Sequence, residues 1–455
     1  MVDSAEQYPQ LSLHQVIERA LAASPIVASG IGGLRIARAA ARVARGAYLP
    51  TVALVATATS TDVASGGVGA GARGAAGGGG VGGIDTTPRP ILNRGGGNSD
   101  ITNFATIGLG ASIDVFTGGR RKAIKDATRE GVRSATWTLD SARYAARFDA
   151  ESTFYEVIRA RELAAVARAG LNEADLLVRF TRDMLSAGTV TKSDLLRAQV
   201  QALTMQTQLL AAKDTLLAAA YSLGWLVGAN GPIGAKADSA SMAIRPLALD
   251  DSAIMRVAVE SSPMVAGARA TLEAAEASLR AAHALEIPTI TASAVYTKAT
   301  IASTPGTASG SGISAVGGSP PAIANRPGWI VSLGTNYPIF NGYQREDSIA
   351  RARSTVYAAR SVANDASRSA RARAARLLTT LHTTAKTITL DLEAIRSARE
   401  DLRVQGARYR AGISTMLDVL TSELALVQAG YNLAQARNRY HTTRAALEAL
   451  VGRVL

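Results

Sequence analysis

Gly412-Ile413-Ser414-Thr415-Met416-Leu417-Asp418-Val419-Leu420 opens a helix-like stretch that runs to Gly452. Gly188-Thr189-Val190-Thr191-Lys192-Ser193-Asp194-Leu195-Leu196 opens another of the same length, ending at Gly228. Gly188 and Gly412 lie 224 positions apart, and so do Gly228 and Gly452. From Leu109 and Leu333 onward the two halves align without a gap. The sequence therefore reads as a tandem duplication, and each half folds back at its Gly-plus-Asp turn.

Outward from these turns the same elements recur. A short helix over 11–23 stops at Ser24-Pro25, and its counterpart over 247–262 stops at Pro263. An Ala/Arg-rich helix follows each, closed by Pro50 and Pro288; proline suits the first helical turn and ends a helix. The period then changes to two. Val52, Leu54, Ala56 and Ala58 alternate with small hydroxyls, as do Ile290, Ala292, Ala294 and Tyr296. After a glycine-rich stretch (64–100 and 301–328) a second strand returns in each half and exits through Phe116-Thr117-Gly118 or Phe340-Asn341-Gly342. Each half then holds a helix of about 68 residues, roughly 100 Å long at ~1.5 Å per residue, which implies a coiled-coil or helical-barrel rod. In the return helices, Leu417, Leu420, Leu424, Val427, Tyr431 and Ala434 are spaced as a coiled-coil seam, repeated by Leu196, Val200, Leu203, Thr207 and Leu210. A return helix plus a pre-strand helix nearly matches the long helix, so two short helices stacked end to end are expected beside each long one.

The domain reading follows: 11–230 is the first repeat, with strands about 51–61 and 102–117, a long helix about 119–186 and a return helix about 192–227. Residues 231–248 are a waist linker. The second repeat is 249–453, with strands about 289–299 and 329–341, a long helix about 343–410 and a return helix about 415–451.

Composition narrows the function. The chain has 455 residues and no cysteine, which excludes disulfides, thiolate metal sites and a lipidated cysteine. The net charge is +13, but arginines such as Arg143, Arg147, Arg159, Arg161 and Arg168 alternate with Glu and Ala, which reads as a solvated helical face rather than a nucleic-acid site. His14, His283, His382 and His441 are scattered singly, without metal-ligand spacing. Gly69-Ala70-Gly71-Ala72-Arg73-Gly74 fits GxGxxG, but no helical pattern follows it. No cofactor, metal or catalytic constellation is expected. Trp329 and Tyr296 read as parts of an aromatic belt, and Trp137 and Trp225 as packing residues. No run of 18 apolar residues marks a transmembrane helix, and Met1-Val2-Asp3 does not open a signal sequence, so the reading is a cytosolic protein or a processed form.

Four amphipathic strands per chain cannot close a barrel. Their length and their one apolar face suit a tilted bilayer crossing, so closure needs several copies. Eight strands leave a lumen filled by side chains, and small Gly, Ser and Thr on the inner face favour twelve.

Two repeats of helix–strand–loop–strand–long helix–turn–helix, with the turn around Gly412 and the Phe-x-Gly strand exits, resemble the TolC-type outer-membrane efflux family over residues 11 to 453. The resemblance implies an α+β membrane protein: a homotrimeric 12-stranded β-barrel in the outer membrane, continued by a long α-helical barrel into the periplasm. It implies an exit duct of a tripartite efflux pump that conducts passively, is not an enzyme, and docks to a periplasmic adaptor and an inner-membrane transporter; a type I protein secretion duct is the alternative within the family. A signal sequence would then have been removed. The implied periplasmic gate comprises Asp418 and Tyr409, with Thr421 where the family has a second aspartate, and Asp194 in the other hairpin. Ser414 stands where the family has a gate arginine, leaving Arg408, Arg410 and Asp194 as candidate closing groups. The implied adaptor-contacting tips are Gly188, Thr189, Val190, Gly412, Ile413 and Ser414. Without the resemblance, Asp418 and Asp194 read as first-turn acids that favour the helix dipole, and the glycines as turn residues. The reading from another class is a coiled-coil surface fibre or adhesin. That reading expects a single strand-bearing anchor at a chain terminus rather than two internal strand pairs.

Overall fold

A computed structural model describes residues 8–64, 99–237, 242–244, 247, 250–260, 262–304 and 326–453. The glycine-rich GxGxxG segment lies outside them, as do most of the two glycine-rich stretches and part of the waist linker. The chain forms two compact units. One holds residues 1–44, 122–282 and 344–455, and the other 45–121 and 283–343.

In chain order the elements are β1 (Gln10–Leu11), α1 (Leu13–Ala23), α2 (Pro25–Gly46), β2 (Thr51–Ala64), β3 (Ser99–Phe116), α3 (Arg120–Ser186), α4 (Lys192–Leu226), β4 (Gly234–Ala235), α5 (Asp251–Glu260), α6 (Pro263–His283), β5 (Thr289–Thr304), β6 (Arg326–Asn336), α7 (Gln344–Arg410) and α8 (Met416–Val451). Both long helices have 67 residues. Positive φ falls at Gly118, Gly119, Gly188 and Gly228, and 224 positions later at Gly342, Tyr343, Gly412 and Gly452.

The smaller unit is one antiparallel sheet of order β2-β3-β5-β6. Its ladders run further into the glycine-rich stretches than the alternation alone indicates, because Ala64 pairs with Ser99 and Ile101 with Thr304. In the other direction β6 stops at Asn336 instead of continuing to 341; Pro338 brings no N–H to the ladder. Register sorts the faces. Leu54, Leu109, Tyr296 and Trp329 form one cross-strand row, and Val52, Ala111, Ala294 and Val331 the next. The opposite face carries the row Thr51, Ser112, Ser293 and Ser332, with Thr51 Oγ1 2.8 Å from Ser112 Oγ and Ser293 Oγ 2.7 Å from Ser332 Oγ. The Tyr296 and Trp329 rings lie 4.9 Å apart. Leu54, Trp329, Val331 and Leu333 are about 70–80% exposed, so among the described residues nothing covers the apolar face.

In the larger unit, α2 packs on α3 through Val27, Leu34, Leu139 and Ala146. Further along α3, Phe154 and Ile158 meet Leu223 of α4 and Val16 of α1. Short helices abut end to end. A Cβ on Gly228, just past α4, would lie 3.4 Å from Ala23 Cβ of α1, and Gly452, just past α8, lies against Pro263, the first residue of α6. The arginines do more than solvate a face. Arg147 bonds Glu151 at 2.8 Å and reaches Glu448 of α8 at 3.4 Å, and Arg161 donates to the carbonyl of Ala235 at 3.2 Å. The expected seam is also corrected. Over the expected seam, 196–210, the residues of α4 that are buried are Ala198, Met205 and Leu209, while Leu196, Val200, Leu203 and Leu210 are 51–64% exposed. These side chains lie on a face that no other element covers among the described residues. Trp225 is 80% exposed and is not a packing residue within the chain.

Among the described residues no single helix is long and apolar enough to cross a membrane. The bent pair α1–α2 passes by length and composition, but its Val16, Ala20, Val27 and Leu34 are buried in the helical unit.

The linker after α4 passes so close to the helix that a Cβ on Gly224 would lie 2.0 Å from the Gly231 oxygen. Gly224→Ala is therefore expected to cost about 1–3 kcal/mol by overpacking, read as a lowered thermal midpoint, whereas Gly131→Ala, with open space around it, is expected to cost nothing.

Candidate functional site

Both hairpin turns have the same chemistry. At the first, Gly188 N–H donates to the Leu185 oxygen and Thr189 N–H to that of Met184; at the second, Gly412 donates to Tyr409 and Ile413 to Arg408, all at 2.9–3.0 Å. This 5→2 and 6→1 pairing needs a left-handed residue between the two donors. Gly188 and Gly412 supply it with φ of 74° and 72°, a conformation a Cβ disfavours.

A threonine then caps each return helix. Thr415 Oγ1 accepts from Asp418 N–H, and Asp418 Oδ2 accepts from Thr415 N–H at 2.8 Å; Thr191 and Asp194 repeat the exchange, with the N–H to Oδ2 contact at 3.1 Å. These are capping boxes with Asp in the third position. The Thr415 bonds hold the Asp418 carboxyl below its ordinary range, helped by the positive charge of Arg408. The positions where the family pattern differs also bond within their own hairpin: Thr421 Oγ1 to the Asp418 oxygen at 2.9 Å, and Ser414 Oγ to the Gln405 oxygen at 3.2 Å.

The fold brings the two tips together. Ala198 of α4 is buried with Tyr409, Met416 and Val419, against Phe180, Met184, Val190 and Leu420. Tyr409 is 5% exposed, its ring 6.3 Å from that of Phe180. Burial raises its phenol pKa, and the nearby Asp194 carboxylate adds to the rise. Tyr409 and Asp194, from different hairpins, thus share one site. Arg410 lies over the Phe180 ring at 5.7 Å. Gly188, Thr189, Gly412 and Ile413 are exposed at the turns.

Sequence reasoning missed Phe180, Met416 and Val419, and the buried Glu423 beyond them. Positions 416, 419 and 423 carry a helical spacing of their own, one residue before the leucine seam, and that offset was the available signal. Among the described residues no cluster of three metal-ligating side chains occurs.

A family model described as "Outer membrane efflux protein" matches residues 16–229 and 254–453. The chain belongs to the outer membrane efflux protein family. It is therefore a member of a family of channels, not of enzymes, and the surface-fibre alternative falls away. Outer membrane efflux protein BepC of Brucella suis biovar 1 (strain 1330) is 26% identical over 220 residues, which span 48% of this chain and 41% of that relative. Among solved structures, the outer membrane protein VceC from Vibrio cholerae superimposes with a TM-score of 0.75 at 20% identity, covering 97% of this chain and 96% of that one. The open state of the Neisseria gonorrhoeae MtrE outer membrane channel gives 0.74 at 19% identity, covering 97% and 89%. At these identities the structures establish the fold alone.

Thr415→Ala removes one partner of the capping box and is expected to cost about 1 kcal/mol, measured as a drop in thermal midpoint, with Thr191→Ala alike. Asp418's share persists at neutral pH. It is lost only as pH falls below the ordinary 3.8 through the depressed value.

Proposed function

We propose that this chain is the outer-membrane exit duct of a tripartite efflux pump. The observation that carries the reading is the sheet: among the described residues, four antiparallel strands with two open edges, an uncovered apolar face and an opposite face that carries a row of small hydroxyls, in a chain of the outer membrane efflux family. A backbone edge is not tolerated in hydrocarbon, so β6 of one copy pairs with β2 of the next. Three copies close a 12-stranded barrel wide enough to keep a lumen. The two halves of each chain are read as a duplication, supported by the constant spacing of their left-handed residues and helices.

The long helices form the periplasmic helical barrel, and their tips close its mouth. Asp418 contributes a ring of three carboxylates, which favours cations; Tyr409, Asp194 and Thr421 brace the ring. Gly188, Thr189, Val190, Gly412, Ile413 and Ser414 meet the periplasmic adaptor, which links the duct to an inner-membrane transporter. The uncovered leucine stripe of α4 and the exposed Ile413 and Leu417 supply apolar area for neighbouring copies and for the adaptor. The duct performs no chemistry and conducts passively; selection belongs to the transporter.

Purified protein in planar bilayers is expected to give a small, cation-selective conductance, and Asp418→Asn to raise it or abolish its selectivity. No channel activity under any condition overturns the reading, and a monomer by light scattering in detergent overturns barrel closure.

A further inference from the structure

Glu423 lies on α8, where α8 of the Gly412 hairpin meets α3 and α4 of the other hairpin. It is 3% exposed, and its Oε1 has no hydrogen-bonding partner among the described residues. The side chain faces the Glu173 carboxylate of α3 and the Gln201 amide of α4. Gln201 Nε2 and Gln208 Oε1, also on α4, are buried and unpaired as well. From α7, Asp401 is turned to the hydroxyl of Ser422, beside Glu423. Glu423 and Gln201 fall between two apolar clusters, Ala198, Tyr409, Met416 and Val419 towards the tip and Ala174, Met205 and Val427 away from it, while Gln208 lies beyond Met205. Burying an ionised carboxylate without a cation is costly, and a second carboxylate facing it adds repulsion.

We propose that Glu423 is a proton-operated latch between the two hairpins. Protonated, it lets α8 seat against α3 and α4. Ionised, it repels Glu173 and seeks water, and the Gly412 tip parts from the Gly188 tip. The latch deepens the duct reading, and rests on it only where parting is taken to widen the mouth.

Burial, with Glu173 second, pushes the Glu423 carboxyl from 4.5 up to about 7 in the seated state. The seated state therefore holds a proton at pH values where a solvated carboxyl has lost it. Seating is unpenalised below about pH 4.5, weakens as pH rises towards 7, and carries its full penalty above that. By linkage, the ratio of parted to seated hairpins rises about tenfold between pH 6 and pH 8.

The chain has no cysteine, so Ala198→Cys places a unique thiol in the buried tip cluster. Its maleimide labelling rate in the assembled protein, divided by that of an exposed Thr189→Cys at the same pH, reads the parted fraction. The expected result is an increase of about tenfold from pH 6 to pH 8, flattened by adding Glu423→Gln and reduced by adding Glu173→Gln. A pH response that survives Glu423→Gln overturns the latch. If Glu423→Gln fails to assemble, Glu173→Gln decides, and an unaltered response overturns it. A labelling response without any pH effect on bilayer conductance upholds the latch and counts against the duct reading.

Discussion

A peptide N–H or C=O left unpaired in hydrocarbon costs several kcal/mol, and the sheet of this chain has two such edges. Among the described residues, β2 and β6 are each paired on one side only. In the proposed duct, pairing between copies meets this requirement, and assembly becomes a condition of membrane insertion. The face chemistry points the same way. Leucine, valine, tyrosine and tryptophan occupy one side, while the other mixes paired hydroxyls with glycine and with Ala53, Val295 and Ile330.

The helical unit meets the same demand for paired backbone groups within itself. Two 67-residue helices need lateral support along their whole length. The chain supplies it in short segments that abut at Gly228 and Gly452 instead of as single long partners. Where the segments leave α3 and α8 side by side, charge replaces leucine. Arg147 bridges Glu151 and Glu448, Arg444 also reaches Glu448, and Arg437 reaches Glu162. Burial raises the Glu151 carboxyl against the pull of Arg147, so these pairs align the helices more than they stabilise them.

Much of this was legible in the residues. Prolines mark the short helices, the change of period marks the strands, and Gly-plus-Asp marks the turns, because each depends on local backbone chemistry alone. What was not legible depends on which surfaces meet. Leucine spacing on α4 indicated a buried seam, yet over that stretch the buried residues are Ala198, Met205 and Leu209 in another register, since a close helix contact favours small and pliable side chains. Tyr409 and Asp194 are far apart in the sequence, and only the docking of the tips makes them neighbours. Glu423 looks like any helix-surface glutamate until the facing helices are placed. The acids that the family pattern singled out close the capping boxes of their own return helices.

The turn chemistry has a consequence for how the tips evolve and move. Each turn satisfies its own backbone: the glycine pairing ends one helix and the capping box begins the next, with no group borrowed from a neighbour. A tip built this way is self-contained. It can shift as a rigid body without leaving a donor or acceptor stranded, so only side-chain contacts resist the motion. Its outward residues can also be exchanged freely around a fixed frame. The same two glycines and two threonine caps then form a fixed frame whose outward side chains can change without refolding the helices behind them.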